Sequence, residues 1–211
     1  MIRVAYQGEP GAFGEVAARM YAGGNAVLLP MYTFDEVVGA VMNGSVDRGI
    51  LPVSNSIIGT VPAGAAAAAT PGLNELQRVR VPVEQCLMAL PGASAESITR
   101  VISHPAALGQ CGSFFGAHPH MRAVEWYDTA GAAKHVASQA DRTIGAIASR
   151  RAAEHYGLEV LASNIQDRQD NETEFVVVEA QCHLTRSCED AERRRDGAAA
   201  LGSPALRVVN R

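Results

Sequence analysis

The sequence predicts an α/β fold arranged as two lobes. Short β-type runs alternate with helix-length stretches along most of the chain, and polar or glycine-bearing loops follow the strand candidates. The alternation breaks once, around residues 62–82, and then resumes. Strands alternating with helices argue for largely parallel sheets covered by helices, and the single break argues for two lobes over one long sheet. With 211 residues, 47% of them hydrophobic, the chain can build a core in one compact domain or in each of two small lobes.

The elements follow in order. Ile2–Tyr6 is a strand, and the turn Gly8–Gly11 leads to a helix through Glu15–Tyr21. Ala26–Leu29 is a second short strand. The clearest helix signal comes next: Thr33 and Glu36 have capping-box spacing, and Phe34, Val37, Val38, Val41 and Met42 form one apolar face. Gly49–Val53 is a third strand. Beyond the break, strands are expected at Val83–Leu90, Val101–Ser103, Ala123–Trp126, Thr143–Ala148 and Phe175–Val178. Helices are expected at Ala106–Phe115, Thr129–Ser138 and Ser149–Tyr156. The lobes then divide as about 1–80 plus 165–180 and about 81–164, with a charged tail over 181–211.

Composition excludes several classes. A formal charge of −4 leaves no basic excess to neutralise phosphates, so no nucleic-acid partner is expected. The apolar content excludes a disordered chain. No apolar run approaches the roughly 20 residues of a membrane helix, so no membrane partner is expected. The opening MIRVAYQG reads as a strand entering a turn, not as a signal peptide. Cys86, Cys111, Cys182 and Cys188 show no CxxC spacing and no His/Cys cluster, which predicts reduced thiols in a cytoplasmic protein and no metal. All 18 basic residues are arginine except Lys134, a bias attributed to codon usage.

Ligands of α/β sheets sit at the carboxyl ends of strands. Four such loops are polar here. Gly8-Glu9-Pro10-Gly11-Ala12-Phe13 opens a helix N-terminus that can hold an anion, but matches neither GxGxxG nor a P-loop. Pro52-Val53-Ser54-Asn55-Ser56 supplies hydroxyls and an amide. Ser103-His104-Pro105 opens another helix, and Asn164-Ile165-Gln166-Asp167 leads to Asn171 through Phe175. Helix caps and turns explain each of these loops taken singly. A Ser-His-Asp triad drawn from Ser54 or Ser56 and His104 lacks the GxSxG elbow. The residues alone define a two-lobed α/β protein that binds a small polar ligand in a cleft.

The same loops, in order, resemble the catalytic domain of the prephenate dehydratase and arogenate dehydratase family. The resemblance runs through Ala5–Phe13, the "PxENS…G"-like Pro52–Ser56 with Gly59, and Cys86–Gly92. It continues through the "SHPQALxQC"-like Ser103–Cys111, Asp128–Ala133, Tyr156-Gly157-Leu158 and the "NIQDxxxNxTRF"-like Asn164–Phe175. It covers about residues 2–180. The fold it implies is a pair of α/β lobes like a type II periplasmic binding protein, with the active site in the interlobe cleft.

The activity it implies is cofactor-free aromatisation of a small-molecule substrate, prephenate or arogenate, with loss of water and carbon dioxide. Thr173 is then the catalytic proton donor. Substrate binding falls to Asn55, Ser56, His104 and Thr129, to Gly11, Ala12 and Phe13 of the first turn, and to Asn164, Gln166 and Phe175. A homodimer is expected. The family's C-terminal phenylalanine-binding ACT domain is not expected in the roughly 30 residues after Ala180, and neither is feedback through it.

Three positions depart from the motifs: Ser54 replaces glutamate, Ala106 replaces glutamine, and Glu174 replaces the arginine of TRF. Gly14 also replaces a hydroxyl-bearing residue. Three readings of Glu174 stand. It faces away from the cleft, since neighbouring strand residues point oppositely. Alternatively it pairs with the ammonium that arogenate has and prephenate lacks. In the third, the site has drifted to prephenate decarboxylation without dehydration, or to ligand binding without turnover.

Overall fold

A computed structural model describes residues 1–181, and residues 1–180 form one compact unit. The expected tail over 181–211 lies, apart from Gln181, outside the described residues. Two mixed sheets carry the fold. The first lobe contains β1 (Ile2–Gln7), α1 (Phe13–Ala22), β2 (Ala26–Met31), α2 (Phe34–Met42) and β3 (Arg48–Asn55). It continues with β4 (Gly59–Thr60), α3 (Pro62–Ala68) and β5 (Leu73–Pro82). The chain then crosses over to β6 (Cys86–Ala89), β7 (Arg100–Ser103), α4 (Pro105–Gly109), α5 (Gly112–Ala117) and β8 (Arg122–Glu125). Next come α6 (Thr129–Ser138), β9 (Ile144–Ala148), α7 (Arg150–Tyr156) and β10 (Glu159–Ala162). It crosses back to end in β11 (Glu172–Ala180).

The first sheet has the order β2-β1-β3-β11-β5 with β4 beside β3; the second has the order β10-β6-β9-β7-β8. The expectation of largely parallel sheets is corrected. β11 is antiparallel to both β3 and β5, and β6 is antiparallel to both β9 and β10. The double crossover is the physical reason. β1, β3, β7 and β9 run toward the loops that face the other lobe, whereas β6 and β11 each enter their sheet from the crossover side and run away from it.

Each sheet is covered on both faces. In the first, Val37, Val41, Leu51, Val176 and Val178 pack on the side of α2 and α3. Val4, Tyr6, Ile50, Phe175 and Val177 pack against Ala17 and Ala18 of α1 on the other. In the second, Met88, Ala146 and Ala148 meet α6 and α7, while Leu87, Val101 and Ile147 meet Ala107 and Cys111. Burial of this kind contributes about 25 cal/mol per Å² of apolar surface. Ala130, Gly131, Ala132 and Ala133 are all buried in α6, so small side chains let that helix sit close to its sheet.

The capping box at Thr33 is present, with Glu36 N–H donating to Thr33 Oγ1 at 3.1 Å. Two helix and strand expectations need correction. The break at 62–82 holds α3 and the ten-residue β5. β5 is an edge strand whose residues 74–78 are exposed and polar apart from Leu76, so no apolar run announces it. The single helix expected over 106–115 is two, because Asp167 accepts from Gly112 N–H at 2.9 Å and Ser113 N–H at 2.8 Å and starts a new helix there. β10 was not anticipated.

Candidate functional site

The loops at the strand ends meet around a cavity of about 400 Å³. Gln7, Ala12, Phe13, Gly14, Phe34, Ile50, Pro52, Thr173 and Phe175 line it from the first lobe, and His104, Tyr127, Asp128 and Thr129 from the second. A smaller annexe of about 140 Å³ shares Phe13, His104, Thr129 and Thr173 with it and extends to Asn55, Gln85 and Gln110.

Thr173 sits near the start of β11, opposite Asn55 of β3 and Val81 of β5. Its partner Asn55 is only 7% exposed and uses its whole amide. Nδ2 donates to Asn171 Oδ1 at 2.8 Å and to Thr173 Oγ1 at 3.0 Å. Oδ1 accepts from the N–H groups of Ile57 at 2.9 Å and Ile58 at 3.1 Å. Asn171 in turn donates to Gln110 Oε1 at 3.0 Å. Thr173 Oγ1 is therefore an acceptor toward Asn55, which leaves the hydroxyl hydrogen to donate into the cavity. Asn55 orients Thr173 and has no spare donor for a substrate.

His104 caps α4, its Nδ1 accepting from Ala106 N–H at 3.2 Å. That places the ring proton of the neutral imidazole on Nε2, as a donor. Thr129 opens α6 behind its cap Asp128, whose Oδ1 accepts from Ala130 N–H at 2.7 Å. The first turns of α1 and α6 both border the cavity, and such turns favour anions; in α6 the Asp128 carboxylate already takes the Ala130 and Gly131 N–H groups. Among the described residues no arginine or lysine lines it, and Asp128 is the charged side chain there.

Several expected binding residues lie elsewhere. Gly11 is outside the lining, and its N–H is taken by Glu15 Oε2 at 2.6 Å, so this part of the turn offers no donor. The Ala12 N–H bonds Glu9 O at 3.0 Å, although its side chain lines the cavity with Phe13. Ser56 lies on a different depression, its Oγ donating to Asp170 O and accepting from Glu172 N–H. Asn164 is an exposed turn residue with φ 55°. Gln166 is buried, and its Oε1 accepts from Gln85 N–H at 3.0 Å, fastening the two crossover segments together. Thr173, His104, Thr129 and Phe175 do meet at the cavity.

Glu174 turns to the opposite face from Thr173 and is bound there by Arg78 at 2.7 Å and Arg80 at 3.2 Å. It cannot reach a substrate ammonium in the cavity, so that reading of position 174 is withdrawn. The Arg78 guanidinium, with Arg80 beside it, holds the Glu174 carboxyl below the usual carboxylate range.

The lobes are fastened at the rim. Lys134 meets both Glu9 oxygens at 3.0 and 2.9 Å, and Ser149 Oγ donates to Gly11 O at 2.6 Å. Arg151 reaches the buried Glu15 at 3.3 Å. Burial opposes ionisation of Glu15, but the Gly11 N–H with Arg19 and Arg151 outweighs it and lowers its pKa. The two described thiols are poor nucleophiles: burial pushes Cys86 up and, with Asp167 nearby, Cys111 to about 12.

Gln7, Phe34, Tyr127 and Asp128 are lining residues that sequence reasoning missed as binding groups; Gln7 and Asp128 lay inside motifs of the resemblance. Gln110 and Asn171 were also quoted as motif members without a role.

Fold and site together define a two-lobed α/β domain with a cavity of about 400 Å³ bordered by hydroxyl, imidazole and helix N-terminal donors. The chain belongs to the prephenate dehydratase family, whose sequence profile matches residues 4–183. It is 43% identical over 181 residues to arogenate dehydratase 1 of Petunia hybrida, covering 84% of this chain and 42% of that one. It is 44% identical to arogenate dehydratase/prephenate dehydratase 6 of Arabidopsis thaliana, covering 84% and 43%. The chain thus spans less than half the length of these relatives. Among solved structures it resembles the Arthrobacter aurescens prephenate dehydratase in complex with L-Phe (TM-score 0.79, 28% identity, 87% of this chain and 62% of that one). It also resembles GqqA, described as a novel type of quorum quenching acylase (TM-score 0.78, 33% identity, 85% and 64%).

Proposed function

We propose that this domain is a prephenate dehydratase that converts prephenate to phenylpyruvate without a cofactor. The observation that carries the reading is the Thr173 hydroxyl, held as an acceptor by Asn55 with its own hydrogen free at the cavity wall. The ring carboxylate leaves as carbon dioxide, its bonding electrons flow into the ring, and the ring C–O bond breaks. Thr173 supplies a proton to the departing hydroxyl, which leaves as water, and regains one from solvent; the sum consumes one proton. His104 Nε2–H, the Thr129 hydroxyl and the first turn of α1 bind the carboxylates. Aromatisation is strongly downhill, so orientation and one aligned donor suffice.

A second reading takes arogenate as the substrate. Asp128, the charged side chain of a lining without arginine or lysine among the described residues, favours a substrate carrying an ammonium group, and the plant relatives bear the arogenate name. An acylase reading has less support, since no hydrogen bond joins His104 to Thr129 or Thr173 as a base–nucleophile pair among the described residues. The buried free thiols Cys86 and Cys111 support a reducing, cytoplasmic setting. We further propose a homodimer, which light scattering tests.

The deciding experiment incubates the purified protein with prephenate and with arogenate in parallel. Phenylpyruvate is read by absorbance in alkali and phenylalanine by chromatography. A higher kcat/KM on prephenate supports the main reading, a higher value on arogenate selects the second, and turnover of neither sinks both.

A further inference from the structure

The annexe beside the main cavity is polar at one end and apolar at the other. Phe13, Ile58, Val61, Val83, Ala106 and Ala107 supply its apolar walls, from both lobes and the crossover between them. Val83 and Ala107 are buried, whereas Ile58 and Ala106 are exposed at its outer edge. Its amide side chains are bound to the protein. Asn55 spends its amide on Asn171, Thr173 and the N–H groups of Ile57 and Ile58, and Gln110 Oε1 is taken by Asn171. The Gln85 side-chain oxygen is enclosed by protein. His104 Nε2–H and the Thr129 and Thr173 hydroxyls lie at the end shared with the main cavity.

This gradient selects a ligand with a flat apolar ring at one end and an anionic group at the other. The annexe has about 140 Å³, and a space of about 150 Å³ with apolar walls takes a benzene ring. Phe13 adds an aromatic partner for such a ring. Ala106, where the resembling motif has glutamine, leaves the outer part of the volume free. The ring of a dehydratase substrate does not suit these walls, because it carries a carboxylate and a hydroxyl that would be desolvated against them without partners. An aromatised ring has lost both groups.

We propose that the annexe is a binding site for the ring of a single-ring aromatic carboxylic acid, held by its carboxylate at His104 Nε2–H and the Thr129 hydroxyl. The ligand class is a phenyl ring joined to a carboxylate by a short chain, and binding is non-covalent. His104 and Thr129 cannot serve this acid and the substrate at once, so such acids compete with the substrate. The product of the proposed reaction belongs to the class, which makes the annexe a site of product inhibition. That last role rests on the dehydratase reading, whereas the ring site does not.

Calorimetric titration of the full chain with phenylpropanoate, and with propanoate as the same acid lacking the ring, tests this. Phenylpropanoate is expected to bind about tenfold more tightly or better, the gain from taking an apolar ring out of water. Ala106→Gln places a longer side chain in the annexe from an exposed position. It is expected to weaken phenylpropanoate about tenfold and to leave propanoate unchanged, as the ring's apolar contacts are lost. Ile58→Asp, also at an exposed position, sets a charge against the ring and is expected to act in the same direction. No binding of phenylpropanoate, equal affinity for the two acids, or phenylpropanoate binding that neither variant weakens overturns the proposal. In turnover assays phenylpropanoate is expected to raise KM with kcat unchanged, and inhibition that lowers kcat alone overturns the shared use of His104 and Thr129. A wild type that turns over neither prephenate nor arogenate defeats the dehydratase reading, while the titrations still decide the ring site.

Discussion

Asn55 and Thr173 face each other across neighbouring antiparallel strands, and the Asn55 amide donates to Thr173 Oγ1 at 3.0 Å. The same amide is tied to Asn171 and to the backbone of Ile57 and Ile58, so the direction of the Thr173 hydroxyl is set by four hydrogen bonds at one residue. Thr173→Ala is expected to lower kcat by roughly 10²- to 10⁴-fold, the range of a positioned proton donor, with the fold intact by circular dichroism. Near wild-type turnover would reject Thr173 as the donor.

Asn55→Ala is expected to damage both activity and stability. It leaves the N–H groups of Ile57 and Ile58 and the Asn171 carbonyl without partners, costing on the order of 2 kcal/mol in urea unfolding. It also frees the Thr173 rotor, so kcat falls while Thr173 is still present. A variant with wild-type kcat would show that Thr173 needs no orientation.

Glu174→Arg restores the arginine of the motif but puts a third cation beside Arg78 and Arg80. Since position 174 faces away from the cavity, KM is expected to stay within about twofold, less than the 1.4 kcal/mol worth of a tenfold change. Tm is expected to fall by a few degrees. The pH dependence has a definite sign. Arg78 and Arg80 depress the folded-state pKa of Glu174, so its contribution is present above the unfolded carboxylate pKa and is lost as pH falls through the lower folded value. The gap in Tm between wild type and variant therefore narrows on acidification below the usual carboxylate range. A KM shift of tenfold would place residue 174 at the substrate.

Gly11→Ala tests how closely the lobes approach. Gly11 has φ +91°, and a Cβ there would lie 2.5 Å from Ala152 Cα at the start of α7. The left-handed conformation alone costs about 1–2 kcal/mol for a residue with a Cβ, and the steric overlap pushes the lobes apart. Lower Tm and a raised KM are expected together. A variant with unchanged KM would mean that this contact does not set the width of the cleft.

Lys134→Ala removes the ion pair with Glu9 at the cleft rim. The Lys134 side of the pair is half exposed, so little stability is at stake. The expected effect is a KM raised several-fold with kcat retained, and a wild-type KM that climbs with salt as the pair is screened. Salt-independent KM in the wild type would remove this pair from the closing of the cleft.

Much of the fold was legible along the chain. Thr33 with Glu36 marked the start of α2, and the apolar face of Phe34, Val37 and Val41 marked its buried side, because a capping box and a helical stripe are local signals. The helix expected at Thr129–Ser138 has those ends in the structure, where Asp128 caps it. β5 was not legible: its pattern mixes buried Leu73, Val79 and Val81 with exposed polar residues, and only pairing with β11 makes it a strand.

The site divides in the same way. Ordered loop motifs named Thr173, His104 and Thr129, residue types whose hydroxyl and imidazole chemistry is readable from the sequence alone. Which of their neighbours face a substrate was decided by tertiary structure. Asn55 and Gln166 spend their amides on the protein, Ser56 opens on another surface, and Glu174 is turned away by strand alternation and held by arginines of β5, nearly 100 residues earlier in sequence. Sequence determined the alternating α/β elements and the donor types at the strand ends, because periodicity, caps and side-chain chemistry are local. Only the folded chain decided strand direction, the face each residue takes and which polar groups remain free, because these depend on partners that the double crossover brings together from distant segments.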